Sequence, residues 1–284
     1  MNMFRINLPD YPEATLDAYL LDCQMNLGQY ANRPAIVVCP GGGYVYCANS
    51  EGEPVAMGFA ARGFHTFVLR YSTGHDAAGF KPLKEVSWVI GYIRQHAAEW
   101  NIDPEKIVTC GFSAGGHLAL SAGLLAENKP NAMILGYPAT SAPNMPGADF
   151  MLRLLEGRQN VTDEDAKKYD LPSKVTKDAP PLFLVATCED MLTAFCTIPL
   201  INAYTKLGLH YELHIFQHGP HGYGLANETT CDGSSRYLNP AFSQWQGLSV
   251  EWLHKIFGPL TYEDKDNSKM MKYIKELGLI PEGK

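Results

Sequence analysis

Five short runs in this chain are almost wholly apolar, and nothing else limits its possible folds so tightly. They lie at 35–39, 65–69, 106–110, 132–136 and 182–186, each bounded by Gly, Pro or polar turns. A strand with one wet face alternates apolar and polar residues. A strand that is apolar throughout is buried on both faces, as in a parallel sheet. Helical spacing falls between the runs, at 54–62, 83–100, 114–126 and 198–207. Strand–helix alternation of this kind predicts a doubly wound, mostly parallel α/β sheet with helices on both faces and ligands at the carboxyl ends of the strands. One more strand is expected at 212–216 and a closing helix at 242–257.

The chain has 284 residues, 46% hydrophobic and 19% charged, enough for one α/β domain with a large core and too apolar to be disordered. The net charge of −7 and the lack of a long basic run argue against a nucleic-acid or anionic-membrane partner. Residues 1–258 are expected to form the main domain. Within it, 141–180 is rich in Pro, Gly, Asp and Lys around an apolar 150–155, and reads as an insertion over the sheet edge, a small lid. Residues 259–284 read as a tail carrying an amphipathic helix near 267–277. The N-terminus lacks the apolar stretch of a signal peptide, and no apolar run is long enough to span a bilayer. Seven scattered cysteines without a Cys-x-x-Cys pair read as reduced thiols of a cytoplasmic protein, and the paired spacing of a zinc site is missing.

Gly111-Phe112-Ser113-Ala114-Gly115 follows the run at 106–110 and opens the helical segment behind it. A strand turning sharply into a helix lifts the central side chain above the sheet, and small neighbours keep the turn from clashing. Ser113 is therefore the expected nucleophile; a plain Gly-rich turn with an N-capping serine is the bland alternative. Pro40-Gly41-Gly42-Gly43-Tyr44 follows the run at 35–39. Consecutive glycines let backbone N–H groups face inward, as an oxyanion hole requires. Gly42 or Gly43, together with Ala114, are the expected donors. A phosphate cradle would need a different glycine pattern, with Lys-Ser/Thr in one form, which is absent.

Beyond the expected strand at 212–216 stand two histidines, His218 and His221, each followed by Gly. One of them is the expected base. His117, on the helix behind Ser113, reads as a packing residue. After the run at 182–186 come Glu189 and Asp190, one of which should orient the histidine; Asp190 is preferred and Glu189 is the alternative.

The chain resembles the α/β-hydrolases of the esterase/lipase type, close to their acetyl-xylan esterase-like and feruloyl-esterase-like branch. The likeness covers roughly residues 14–257. Its carriers are the Gly41–43 loop, Glu51-Gly52-Glu53-Pro54-Val55-Ala56, Val68-Leu69-Arg70-Tyr71, Asp103-Pro104-Glu105-Lys106-Ile107, the turn at 111–119 and Phe216-Gln217-His218-Gly219-Pro220-His221-Gly222. Members often show Phe-x-x-Gly-x-His-Gly, which selects His221, and Thr-x-x-Asp, which matches Thr187 and Asp190. The order Ser113, Asp190, His221 is also the order of that family. Two departures stand out. Pro40 replaces the commoner His before the three glycines, and Thr193-Ala194 replaces the Val-Pro that usually follows the acid, which keeps Glu189 open.

The resemblance implies an α/β-hydrolase fold with about eight strands and a serine carboxylesterase acting on small acyl esters, acetyl above all, of a carbohydrate such as an acetylated oligosaccharide. It implies no metal and no organic cofactor. Tyr44, Tyr46, Tyr223 and Phe150 are expected pocket walls, and a symmetric homodimer is the expected assembly. A thioesterase or lactonase of the same fold, a small serine peptidase and a non-catalytic binding module are the competing readings.

Overall fold

The computed structural model describes residues 1–24, 28–264 and 269–279. The chain opens with an antiparallel hairpin, β1 (Asn2–Leu8) and β2 (Tyr11–Leu20), followed by the short β3 (Gly28–Tyr30). Then come β4 (Arg33–Cys39), α1 (Glu53–Ala60), β5 (His65–Arg70), α2 (Lys81–Gln95), the single turn α3 (Ala97–Trp100), β6 (Ile102–Phe112), α4 (Ser113–Leu125) and β7 (Ala132–Gly136). The second half adds α5 (Ala148–Glu156), α6 (Asp163–Lys168), β8 (Leu182–Thr187), α7 (Ile198–Leu207), β9 (Tyr211–Phe216), α8 (Trp245–Phe257), β10 (Tyr262–Asp264) and α9 (Lys269–Glu276).

Eight strands form one sheet in the order β1-β2-β5-β4-β6-β7-β8-β9. Every pairing from β5 through β9 is parallel, and only β2 runs against the other strands, antiparallel to β1 on one side and β5 on the other. From β4 the chain crosses to β5 on one side and later returns to β6 on the other. The loops leaving β4 and β6 therefore diverge, opening a crevice at their carboxyl ends. Register places Cys39 beside Gly111, so the two Gly-rich segments start side by side.

Side-chain alternation along the strands feeds two layers. Ala35, Val37 and Cys39 face Val89, Ile93 and Leu118 of α2 and α4, whereas Ile36 and Val38 face Phe59, Trp245 and Leu253 of α1 and α8. Met133, Leu135, Leu182 and Leu184 pack on Leu200 and Tyr204 of α7. Each fully buried side chain of this size contributes about 1.5–3 kcal/mol.

Several elements differ from the sequence expectations. The helix foreseen at 83–100 breaks at His96, between α2 and α3, and the helix foreseen at 242–257 begins as a 3-10 turn, Phe242–Gln244. The hairpin of β1 and β2 was not foreseen. The segment 141–180 joins β7 and β8, which are neighbours inside the sheet. Its helix α5 buries Met151, Leu152 and Leu155 in the same core cluster as Leu118, which fixes it by packing. In the tail, β10 pairs with β3, and α9 is the described part of the expected helix; 267–268 and 280–284 lie outside the described residues. Among the described residues no helix is long and apolar enough to cross a membrane.

Candidate active site

Strand β6 passes into α4 with no loop between them. Phe112 is extended, at φ −124°, and Ser113 adopts φ 50°, in the left-handed region that side chains with a Cβ avoid. The helix can start this abruptly because Gly115 lies against β4, where a β-carbon would stand 2.1 Å from the Cys39 carbonyl oxygen. Ser113 thus sits above the sheet at the positive end of α4. Its Oγ is 2.7 Å from Nε2 of His221.

His221 comes from the loop after β9, and its Nδ1 lies 2.7 Å from Oδ2 of Asp190, just beyond β8. The Asp190 side chain is 1% exposed, and its Oδ1 accepts the Leu192 N–H at 2.9 Å. One carboxylate oxygen is thereby tied to its own loop and the other is left for the imidazole. The histidine loop is held from β8 as well, where the Thr187 hydroxyl donates to the Gly219 carbonyl at 2.6 Å. Below it, the Tyr137 ring meets the His221 ring edge-on, with centroids 5.1 Å apart.

Glu189 belongs to a different pair. Its Oε1 is 2.8 Å from His218 Nδ1 and its Oε2 accepts the Gly219 N–H at 2.9 Å. Both of these side chains are more than half exposed, and the hydrogen bonds to His218 and Gly219 hold the Glu189 carboxylate below its ordinary range. His117 is buried, its Nδ1 bonded to the Tyr44 hydroxyl at 2.8 Å, and burial pushes its pKa down to about 3. It stays a neutral packing group.

The loop after β4 turns through two left-handed glycines, Gly42 at φ 118° and Gly43 at φ 64°, which line one cavity with Ser113 and His221. Ala114 is in the first turn of α4, directly after Ser113. The cavity has a volume of about 550 Å³ and is lined by the apolar or aromatic Val45, Tyr46 and Phe150 and by the polar Ser50, Thr230 and Asp232.

Two expected pocket walls are elsewhere. Tyr44, at φ 62°, turns inward and is fully buried against Tyr71, Phe80 and His117. Tyr223 is also buried, with its ring packed under Gly219 and beside Phe242. Tyr46 and Phe150 do line the cavity.

Sequence reasoning missed Glu51 as a site residue. This carboxyl is 4% exposed, accepts the Gly41 N–H at 2.8 Å through Oε2 and the Tyr137 hydroxyl at 2.6 Å through Oε1. Burial raises its pKa, and these two hydrogen bonds hold back part of that rise. Its one advance signal was its place in a run that carried the family likeness. Among the described residues no group of three or more His, Cys, Asp or Glu side chains is arranged to hold a metal ion.

Residues 21–150 match the BD-FAE family model. The chain is 32% identical over 220 residues to an endo-1,4-beta-xylanase B of Butyrivibrio fibrisolvens, covering 72% of this chain and 34% of that one. It is 28% identical over 229 residues to an acetylxylan esterase of Xylanibacter ruminicola, covering 78% and 46%. The chain thus spans between a third and a half of these curated relatives. Among solved structures, MGS-M1, an alpha/beta hydrolase enzyme from a Medee basin deep-sea metagenome library, superposes with a TM-score of 0.79 at 30% identity, covering 91% of this chain and 99% of that one.

Proposed function

The chain belongs to the α/β-hydrolase family, and from that premise we propose that it is a serine carboxylesterase that removes small acyl groups, acetyl above all, from a carbohydrate ester. The observation that carries this reading is the line from Ser113 Oγ through His221 to Asp190, with both contacts at 2.7 Å. As Ser113 attacks the ester carbonyl, His221 Nε2 takes its proton. Asp190 holds the imidazole in the tautomer that can accept this proton and stabilises the imidazolium that results.

Negative charge then develops on the carbonyl oxygen. It is received by the N–H groups of Gly42 or Gly43 and of Ala114, each such donor being worth roughly 10²–10³-fold in rate. His221 returns its proton to the departing alcohol. A water molecule, deprotonated by the same imidazole, attacks the acyl carbon; the bond to Ser113 Oγ breaks, His221 returns the proton to that oxygen, and the acid is released. Every step uses side chains and backbone of this chain.

The acetyl and carbohydrate parts of the proposal are supported by the acetylxylan esterase relative and by the mixed lining of the cavity, which holds both apolar and polar side chains. A cytoplasmic setting is supported by seven free thiols, five of them buried. The test is a substrate panel of acetyl, butyryl, feruloyl, thioester and dipeptide substrates together with acetylated xylo-oligosaccharides. Acetyl esters should turn over fastest, and Ser113→Ala should abolish turnover. Preference for a thioester or a dipeptide, or unchanged activity of the variant, would overturn the reading.

A further inference from the structure

We infer that Glu51 is the positioning residue of this site, a single buried carboxylate that holds the loop of oxyanion donors and the loop of the base in register with each other. The inference rests on the serine-esterase reading above. Three segments far apart in sequence, around Gly41, Tyr137 and Gly224, are joined through this one group. Oε2 accepts the N–H of Gly41, the residue immediately before Gly42. Oε1 accepts the hydroxyl of Tyr137, at the end of β7. The Tyr137 oxygen in turn accepts the N–H of Gly224, three residues past His221, at 2.7 Å. The Tyr137 ring also supports the His221 ring edge-on.

The direction of these bonds explains why the residue is an acid. Donors arrive from both sides: a backbone N–H from the oxyanion loop, and a tyrosine hydroxyl already committed to accept from the histidine loop. Only a group with two acceptor oxygens and no proton to place satisfies both at one buried point. A buried carboxyl is a poor way to stabilise a fold, since an apolar side chain fills such a space at less cost. Its place between the two loops is what it serves. Gly41 is the thin layer between it and the nucleophile, because a β-carbon there would collide with Glu51 Oε2 on one side and lie 3.2 Å from Ser113 Cβ on the other. Glu51 borders the cavity and is 4% exposed there, but both its carboxylate oxygens are committed, to Gly41 and to Tyr137, and it acts through these two.

The experiment uses the full chain with p-nitrophenyl acetate, and phenylboronic acid as a transition-state analogue that bonds to Ser113. Variants are Glu51→Leu, Glu51→Gln and Tyr137→Phe, with circular dichroism and thermal unfolding to report folding. Misplaced donors hurt the transition state more than the ground state, so kcat should fall by about 10- to 1000-fold in Glu51→Leu while KM stays within about threefold. Affinity for the boronate should fall in parallel with kcat. Glu51→Gln should recover part of the loss, because its amide can accept from Gly41 and donate to the Tyr137 oxygen. Tyr137→Phe removes one hydroxyl and should lower kcat in the same sense; it decides the matter if the Glu51 variants do not fold. Unchanged kcat in a folded Glu51→Leu or in Tyr137→Phe, or a rise in KM alone, would overturn the inference while leaving the esterase reading intact. An inactive wild type would overturn both.

Discussion

A β-carbon on Gly111 would stand 2.1 Å from the carbonyl oxygen of Gly115. The last turn of a strand and the first turn of a helix touch here without room for a methyl group. Gly111→Ala should therefore force them apart, at a cost of about 1–3 kcal/mol for overpacking, and displace Ser113 from His221. Urea unfolding and ester turnover should both fall. A variant as stable and active as the wild type would mean the turn has slack that the geometry denies.

Ser113 itself is held at φ 50°. Such a conformation costs about 1–3 kcal/mol for a residue with a side chain and little for glycine. Ser113→Gly should lose all turnover yet gain thermal stability, by about 1 kcal/mol, whereas Ser113→Ala should lose turnover without that gain. Calorimetry on the two variants separates backbone strain from loss of the hydroxyl. Equal melting temperatures would argue against strain at this residue.

The two acid–histidine pairs make opposite predictions. Asp190 is buried and bonded to His221, while Glu189 is exposed and bonded to His218. Asp190→Asn offers the imidazole a donor where it needs an acceptor, and kcat should fall about 10⁴-fold, as in serine proteases. Glu189→Gln should leave kcat within a few-fold of the wild type. If Glu189→Gln proves the more damaging, the roles of the two acids are reversed.

Stability should depend on pH through two buried histidines. Burial pushes His65 down to about 4 and His117 down to about 3. In the unfolded chain both titrate near 6.5. Below that pH the unfolded state takes up protons that the native state refuses. The contribution of these residues is thus complete above pH 6.5 and is lost as pH falls toward their native values, by roughly 1.4 kcal/mol per pH unit for each. His65→Gln keeps an acceptor for the Leu21 N–H, which Nδ1 receives at 3.0 Å. Urea midpoints between pH 7 and 4.5 should therefore show a shallower slope in the variant. Identical slopes would show that His65 takes up its proton as readily in the native state as in the unfolded chain.

What the sequence disclosed and what it hid have physical explanations. Strands β4 to β8 were legible because a strand covered on both faces must be apolar at nearly every position, and their runs were. The hairpin escaped because β1 and β2 carry charge in their interiors, Arg5 and Asp17 being paired across the two strands. The turns at Ser113 and through the Gly41–43 loop were readable because they are set locally, by backbone conformations that small neighbours permit. Asp190 could not be separated from Glu189 by its neighbours in sequence, because two adjacent acids differ only in which way the loop turns them. Tyr44 and Tyr223 misled for a related reason. Nearness to a functional motif says nothing about direction, and a left-handed backbone at Tyr44 sends its ring into the core. Glu51 was invisible as a site residue because its partners, Gly41 and Tyr137, converge on it only in the folded chain.

Phe150 stands on the outer side of α5, 54% exposed at the mouth of the cavity, while Met151, Leu152 and Leu155 fasten the same helix inside. The size of the aperture and the soundness of the scaffold are therefore governed by different faces of one short helix. Exchange of a single solvent-side ring should therefore reshape the cavity while the interior keeps its packing.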